Sequence, residues 1–203
     1  MTLFLAADVI GITAFAISGF LAGVRHQLDL LGLIIVASLT ALGGGIIRDM
    51  LLDRTPFAFS EFYPAVTVIV TVTAAIVFKL YRREAIERKW AFVVSDTVGL
   101  VAFSITGAML GIGAEFNFFG VIIVSFLTAI GGGVTRDILI NQVPTVLTGG
   151  FYGTIALIVA LLLIAFHALG MMNNYVISGI ALFAVALRLI AYRREWSLPK
   201  IPY

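Results

Sequence analysis

The chain has 203 residues, of which 61% are hydrophobic and only 12% charged, and it contains no cysteine. A mean hydropathy of +1.11 excludes an ordinary soluble domain, because a sphere of this size cannot enclose so much apolar surface. The balance of 13 basic against 11 acidic residues is slightly positive. Its placement between apolar runs suits membrane orientation better than nucleic acid.

A helix needs about 20 apolar residues to cross the ~30 Å hydrocarbon layer. Seven stretches qualify: 6–24, 29–53, 61–81, 91–112, 117–141, 146–168 and 173–193. The first span carries Asp8 and Ser18 and lacks the basic start of a cleaved signal, so it is read as a retained helix. The second holds Thr40 and then "GGGIIRD", residues 43–49. After the third span comes the basic loop "YRREAIERK". The fourth span carries Asp96 and Thr106, and the fifth holds Thr128 and "GGGVTRD", residues 131–137. Basic residues gather at Arg25, at Lys79, Arg82, Arg83, Arg88 and Lys89, and at Arg188, Arg193, Arg194 and Lys200. The opposite loops hold only Arg54. The positive-inside rule then puts the N-terminus outside and the C-terminus in the cytoplasm.

Sliding the sequence by 88 aligns residues 8–56 with 96–144 without a gap, and 21 of the 49 positions are identical. The matches include Asp8/Asp96, all three glycines, Arg48/Arg136, Asp49/Asp137 and Pro56/Pro144, residue types that hydrocarbon spans use sparingly. Each unit has three spans, an odd number, so the second copy is inverted in the membrane. The expected architecture is an all-α integral membrane protein in one domain over 1–203. Repeat one covers about 6–81, repeat two about 91–168, and a seventh helix, about 173–193, stands outside them. Inverted repeats of this kind recur in transport proteins, with the path at the repeat interface.

Three consecutive glycines weaken a helix and free its carbonyls, which lipid tolerates only where protein or a watery path satisfies them. Close packing of small residues is the plainer use. Two inverted copies, each followed by Arg-Asp, favour a kink or break at Gly43, Gly44 and Gly45 and at Gly131, Gly132 and Gly133. Counting ~1.5 Å per residue sets Arg48 and Asp8 at one level near the outer face, and Arg136 and Asp96 at one level near the inner face. Pairs Asp8–Arg48 and Asp96–Arg136 are expected, since burial of either charge alone is costly. Neighbours i and i+1 point ~100° apart on a helix, so Asp49 and Asp137 are expected to leave their arginines and face the pore, a cation or a helix N-terminus. Arg48 and Arg136 are read as gate elements, one near each mouth. Ser18, Thr106, Thr40 and Thr128 are the repeat-related polar residues assigned to the same path, and Thr13, Ser95 and Ser104 are further candidates. No catalytic motif, metal-ligand set, cofactor fingerprint or nucleic-acid signature is found.

Seven spans, the inverted repeat and the paired GGGxxRD together resemble the trimeric intracellular cation channel family, in its short prokaryotic branch. The resemblance covers essentially the whole chain. It implies a homotrimer in which each protomer has its own pore, formed by the first, second, fourth and fifth spans, with kinks at the triple glycines. It also implies conduction of monovalent cations, potassium or sodium, across a prokaryotic inner membrane, with lipid as the surrounding partner. Animal members carry Lys-Glu-Val after the first glycines, where this chain has "GGGIIRD". A secondary transporter of a small polar solute, such as an amino acid, is the alternative that the same inverted repeat supports.

Overall fold

The computed structural model describes residues 2–82, 84–148 and 151–199. Arg83 and Lys200, counted above with the orienting charges, and Gly149 and Gly150 of the sixth span lie outside the described residues. The described chain is helical: α1 (Thr2–Arg25), α2 (Leu30–Leu51), α3 (Phe57–Ser60), α4 (Tyr63–Val77), a 3-10 turn (Leu80–Arg82), α5 (Ala85–Gly113), α6 (Phe118–Leu139), α7 (Thr145–Thr148), α8 (Tyr152–Ala168) and α9 (Asn174–Arg193). Helices α1, α2, α5, α6 and α9 are long and apolar enough to cross a membrane. Helices α4 and α8 are apolar but shorter, with 15 and 17 residues.

Local sequence explains these limits. Asp29 and Asn117, which are 88 positions apart, each accept the N–H of the glycine three residues on, at 2.7 and 2.9 Å, and so cap α2 and α6. Gln27 and Glu115 turn the chain before them with positive φ. Lys79, at φ 53, closes the α4 segment early, which shortens the expected third span. The "YRREAIERK" loop is in large part helix, because α5 already begins at Ala85 with Glu87 in its first turn, where the helix dipole favours a negative charge.

Four helices form the centre. α1 lies against α2 and α5, and α6 lies against α2 and α5; α4 flanks α1, while α8 flanks α5 and α6. α9 packs on α5 and α8. At the middle Phe15 and Phe103 meet edge to face, with centroids 5.3 Å apart. Each sits on the other's glycine, since a Cβ on Gly99 or Gly11 would lie 2.5 Å from that ring. Because residue 11 meets 103 and residue 15 meets 99, α1 and α5 run antiparallel.

The same reciprocity governs α2 and α6. A Cβ on Gly44 would stand 2.2 Å from the Thr128 carbonyl oxygen, and one on Gly132 would stand 2.1 Å from the Thr40 carbonyl oxygen. These contacts also pair rising with falling numbers, so α2 and α6 are antiparallel. The expected break is not there: the α-helix continues through both glycine triplets. Both triplets bring the two backbones into close approach.

Candidate functional site: two buried arginine–aspartate clusters

The buried residues of α2 run in pairs, Val36 and Ala37, Thr40 and Ala41, Gly44 and Gly45, Arg48 and Asp49. This stripe, repeating every four residues and two residues wide, points both members of the Arg-Asp dipeptide inward. α6 repeats it with Val124 and Ser125, Thr128 and Ala129, Gly132 and Gly133, Arg136 and Asp137. Each arginine lies four residues past the central glycine, about 6 Å along its helix. Because the helices are antiparallel, the two clusters lie on opposite sides of the crossing.

In the first cluster, Arg48 Nη1 donates to Asp8 Oδ1 at 2.8 Å and Arg48 Nε to Asp49 Oδ1 at 2.9 Å. Nη1 also reaches Thr106 Oγ1 at 3.3 Å. Asp8 Oδ2 accepts from the Tyr63 hydroxyl at 3.0 Å, and Asp49 Oδ2 from the Phe57 backbone N–H at 2.8 Å. The guanidinium lies over the rings of Phe4 and Phe57, at 5.5 and 5.1 Å.

The second cluster matches it. Arg136 Nη1 bonds Asp96 Oδ1, and Nε donates to Asp137 Oδ1 at 2.9 Å. Nη1 also donates to Ser18 Oγ at 2.6 Å, and the Ser18 hydroxyl donates in turn to Asp96 Oδ1 at 3.1 Å. Asp137 Oδ2 accepts from the Thr145 N–H at 2.7 Å and its hydroxyl at 2.9 Å. The ring of Phe92 lies 4.8 Å from the guanidinium. Ser18 of α1 thus serves the α5–α6 pair, and Thr106 of α5 serves the α1–α2 pair.

The pairs Asp8–Arg48 and Asp96–Arg136 form as their depths require. Asp49 and Asp137 differ from expectation, because each bonds the arginine beside it. An arginine stem is long enough to turn its Nε onto the next residue's carboxylate, so backbone direction alone does not separate them. The second oxygen of each aspartate does reach the first residue of a helix, the one-turn α3 or α7, rather than a helix after a glycine break. Thr40 and Thr128 lie outside both clusters: their hydroxyls return to the Val36 and Val124 carbonyls at 2.6 Å. Thr13 and Ser95 line an outer cleft of about 620 Å³ between α1 and α5. Ser104 is buried, and its Oγ has no hydrogen-bond partner among the described residues.

Several contributors were not anticipated, among them Phe57 and Thr145, which stand 88 apart just past the aligned stretch. Phe4 and Phe92 are 88 apart, ahead of the aligned stretch. Tyr63 and Tyr152 open α4 and α8 within "FYP" (62–64) and "FYG" (151–153), a match at offset 89. Arg188 is also misplaced among the orienting charges. It is buried, with its guanidinium 5.3 Å from the Tyr152 ring and 5.8 Å from that of Tyr192.

Comparison with known proteins places the fold as a whole. A family model described as "Glycine transporter" matches twice, over residues 5–80 and 93–168. The UPF0126 inner membrane protein YadS of Escherichia coli K12 is 34% identical over 151 residues, covering 74% of this chain and 72% of the relative. A solved structure described by conductance through TRIC cation channels superposes with a TM-score of 0.85 at 34% identity, covering 98% of this chain and 97% of the other. The trimeric intracellular cation channel orthologue from Rhodobacter sphaeroides gives 0.88 at 26% identity, covering 96% and 100%. With a doubled family match, whole-chain structural likeness and a sequence relative across two thirds of its length, the chain belongs to the family described as "Glycine transporter", the prokaryotic branch of the trimeric intracellular cation channels.

Proposed function

We propose that this chain is a channel for monovalent cations, potassium or sodium, with one conduction route per protomer along α1, α2, α5 and α6. In this reading α1, α2 and α4 form one repeat and α5, α6 and α8 an inverted second, α9 completes seven spans, and the glycine triplets let α2 and α6 bend without breaking. The N-terminus is outside and the C-terminus cytoplasmic, in a prokaryotic inner membrane, and three copies assemble. The observation that carries the reading is the composition of the clusters. Each sets one guanidinium against two carboxylates, a formal charge of −1 at either side of the glycine crossing. Two such triads attract cations, while each arginine, held by its carboxylates, blocks the way until it moves. Likeness to solved cation channels supports the same conclusion.

The test is single-channel recording in planar bilayers under a potassium gradient, with Arg48→Ala and Arg136→Ala beside the parent. Unitary currents reversing near the potassium potential are expected, with open probability or rectification altered in both variants. Unchanged open probability and rectification in either variant refutes the paired gate. One observation favours a second reading: the matched family model is described as "Glycine transporter". Silent bilayers together with saturable glycine uptake by liposomes of the same preparation would establish that reading instead.

A further inference from the structure

Helix α9 has no counterpart in the sequence repeat. It packs on α5 and α8. On the matching side α2 packs on both α1 and α4, but α2 corresponds to α6, and no described helix takes the place of α9 there. One cluster is therefore covered on a face that the other leaves open. The tyrosines show the difference, for Tyr152 is buried while Tyr63 is partly exposed.

What α9 brings to that face is Arg188. It stands five residues before Arg193, the end of the helix, about 8 Å along the axis. A side chain of that length can lean toward the helix end and keep its charge in water. Arg193 does stay outside, exposed and 5.1 Å from the Trp90 ring. Arg188 instead turns inward and is only 6% exposed, with its guanidinium 5.3 Å from the Tyr152 ring. A cation buried in a membrane helix needs opposite charge nearby. The second cluster supplies it. The Tyr152 hydroxyl is within hydrogen-bonding reach of Asp96, and Asp96 attracts Arg188 across the ring.

The charge count of the two ends then differs. Asp8, Arg48 and Asp49 sum to −1. Asp96, Arg136 and Asp137 also sum to −1, but Arg188 brings that end to zero. We propose that Arg188 makes the route electrically one-sided, so that cations enter more readily past the Asp8–Arg48–Asp49 cluster than past the Asp96–Arg136–Asp137 cluster, and the channel rectifies. Arg188 does this without lining the route, because its field reaches the ion through the Tyr152 ring and Asp96. Two repeats with matching triads would pass current alike in both directions, and the helix outside the repeat supplies the direction.

Anchoring is the rival account. The guanidinium lies between the rings of Tyr152 and Tyr192, at 5.3 and 5.8 Å, and so fastens α9 to α8. An anchor changes stability but not the balance between the two directions of current.

The proposal rests on the channel reading, and unitary currents in symmetric potassium chloride separate the two. One unit charge at ~10 Å changes the local cation concentration about two-fold even at the dielectric constant of water. The parent should therefore pass about twice as much current at one polarity as at the other. Arg188→Met, which keeps an unbranched stem against the two rings, should bring the currents to equality. Arg188→Lys, which keeps the charge, should retain the parent ratio. Equal currents in the parent overturn the proposal with no variant needed, so it stays testable even if Arg188→Met does not fold. A ratio that is unchanged or larger in Arg188→Met also overturns it, as does a ratio lost equally in Arg188→Lys, which assigns the residue to anchoring. In each of these cases unitary currents remain and the channel reading stands. A silent parent overturns that reading, and the one-sided route with it.

Discussion

Gly132→Ala tests whether the glycine triplets exist for close approach. The new methyl carbon would lie 2.1 Å from the Thr40 carbonyl oxygen, whereas a carbon touching a carbonyl oxygen sits at about 3.3–3.6 Å. The helices α2 and α6 must therefore part by about 1.2–1.5 Å, and the obstacle is backbone, which has no rotamer to turn aside. Overpacking of this kind costs at the upper end of about 1–3 kcal/mol. Alanine returns about 1 kcal/mol of helix propensity, leaving a net loss near 2 kcal/mol. At roughly 2–4 °C per kcal/mol for a chain of this size, the melting temperature should fall about 4–8 °C. The control is Gly179→Ala, inside α9 with nothing within 4 Å of the added carbon, which gains only the propensity and should melt slightly higher. Thermal unfolding in one detergent compares the two. If Gly132→Ala melted with Gly179→Ala, the contact between α2 and α6 would not depend on the glycine, and the packing explanation would fail.

Other expectations follow from the clusters and caps. Asp8→Asn should destabilise by about 3 kcal/mol, because it strands part of a buried guanidinium. The loss should shrink in an Arg48→Met background, read as the coupling in a double-mutant cycle of unfolding. Thr145→Val removes the hydroxyl bond to Asp137 but keeps the N–H bond, so unfolding should report a loss of about 1 kcal/mol. Asn173→Ala deletes the side chain that accepts from the Tyr175 and Val176 N–H groups, both at 3.0 Å. About 1 kcal/mol is expected to go, appearing as faster hydrogen exchange in the first turn of α9 and not in α2.

How much of this the sequence disclosed depends on how each residue acts. Asp8, Arg48, Asp96 and Arg136 were legible because duplication shows each twice, and because apolar surroundings require a charge to find its opposite. The depth count then needed only the rise of a helix. The pairing of Arg48 with Asp49 was hidden because a direction drawn from the backbone ignores the reach of a long side chain. The glycine break was a misjudged weight: a triplet weakens a helix in isolation, but here each triplet is packed against another helix and stays helical. Tyr63 and Tyr152 escaped because the ungapped comparison ends at Pro56 and Pro144. One added residue then moves "FYP" and "FYG" to an offset of 89, although both triplets are plain once a gap is allowed. Arg188 left a signal of a different sort. The buried positions of α9 are Ile177, Ile180, Ala184, Arg188 and Ala191, steps of three and four residues that describe one helical face. An arginine in register with that apolar stripe is aimed at the protein interior, and its nearness to the basic C-terminus is incidental. The period of the helix, more than the local density of charge, separates an orienting arginine from one that shapes the site.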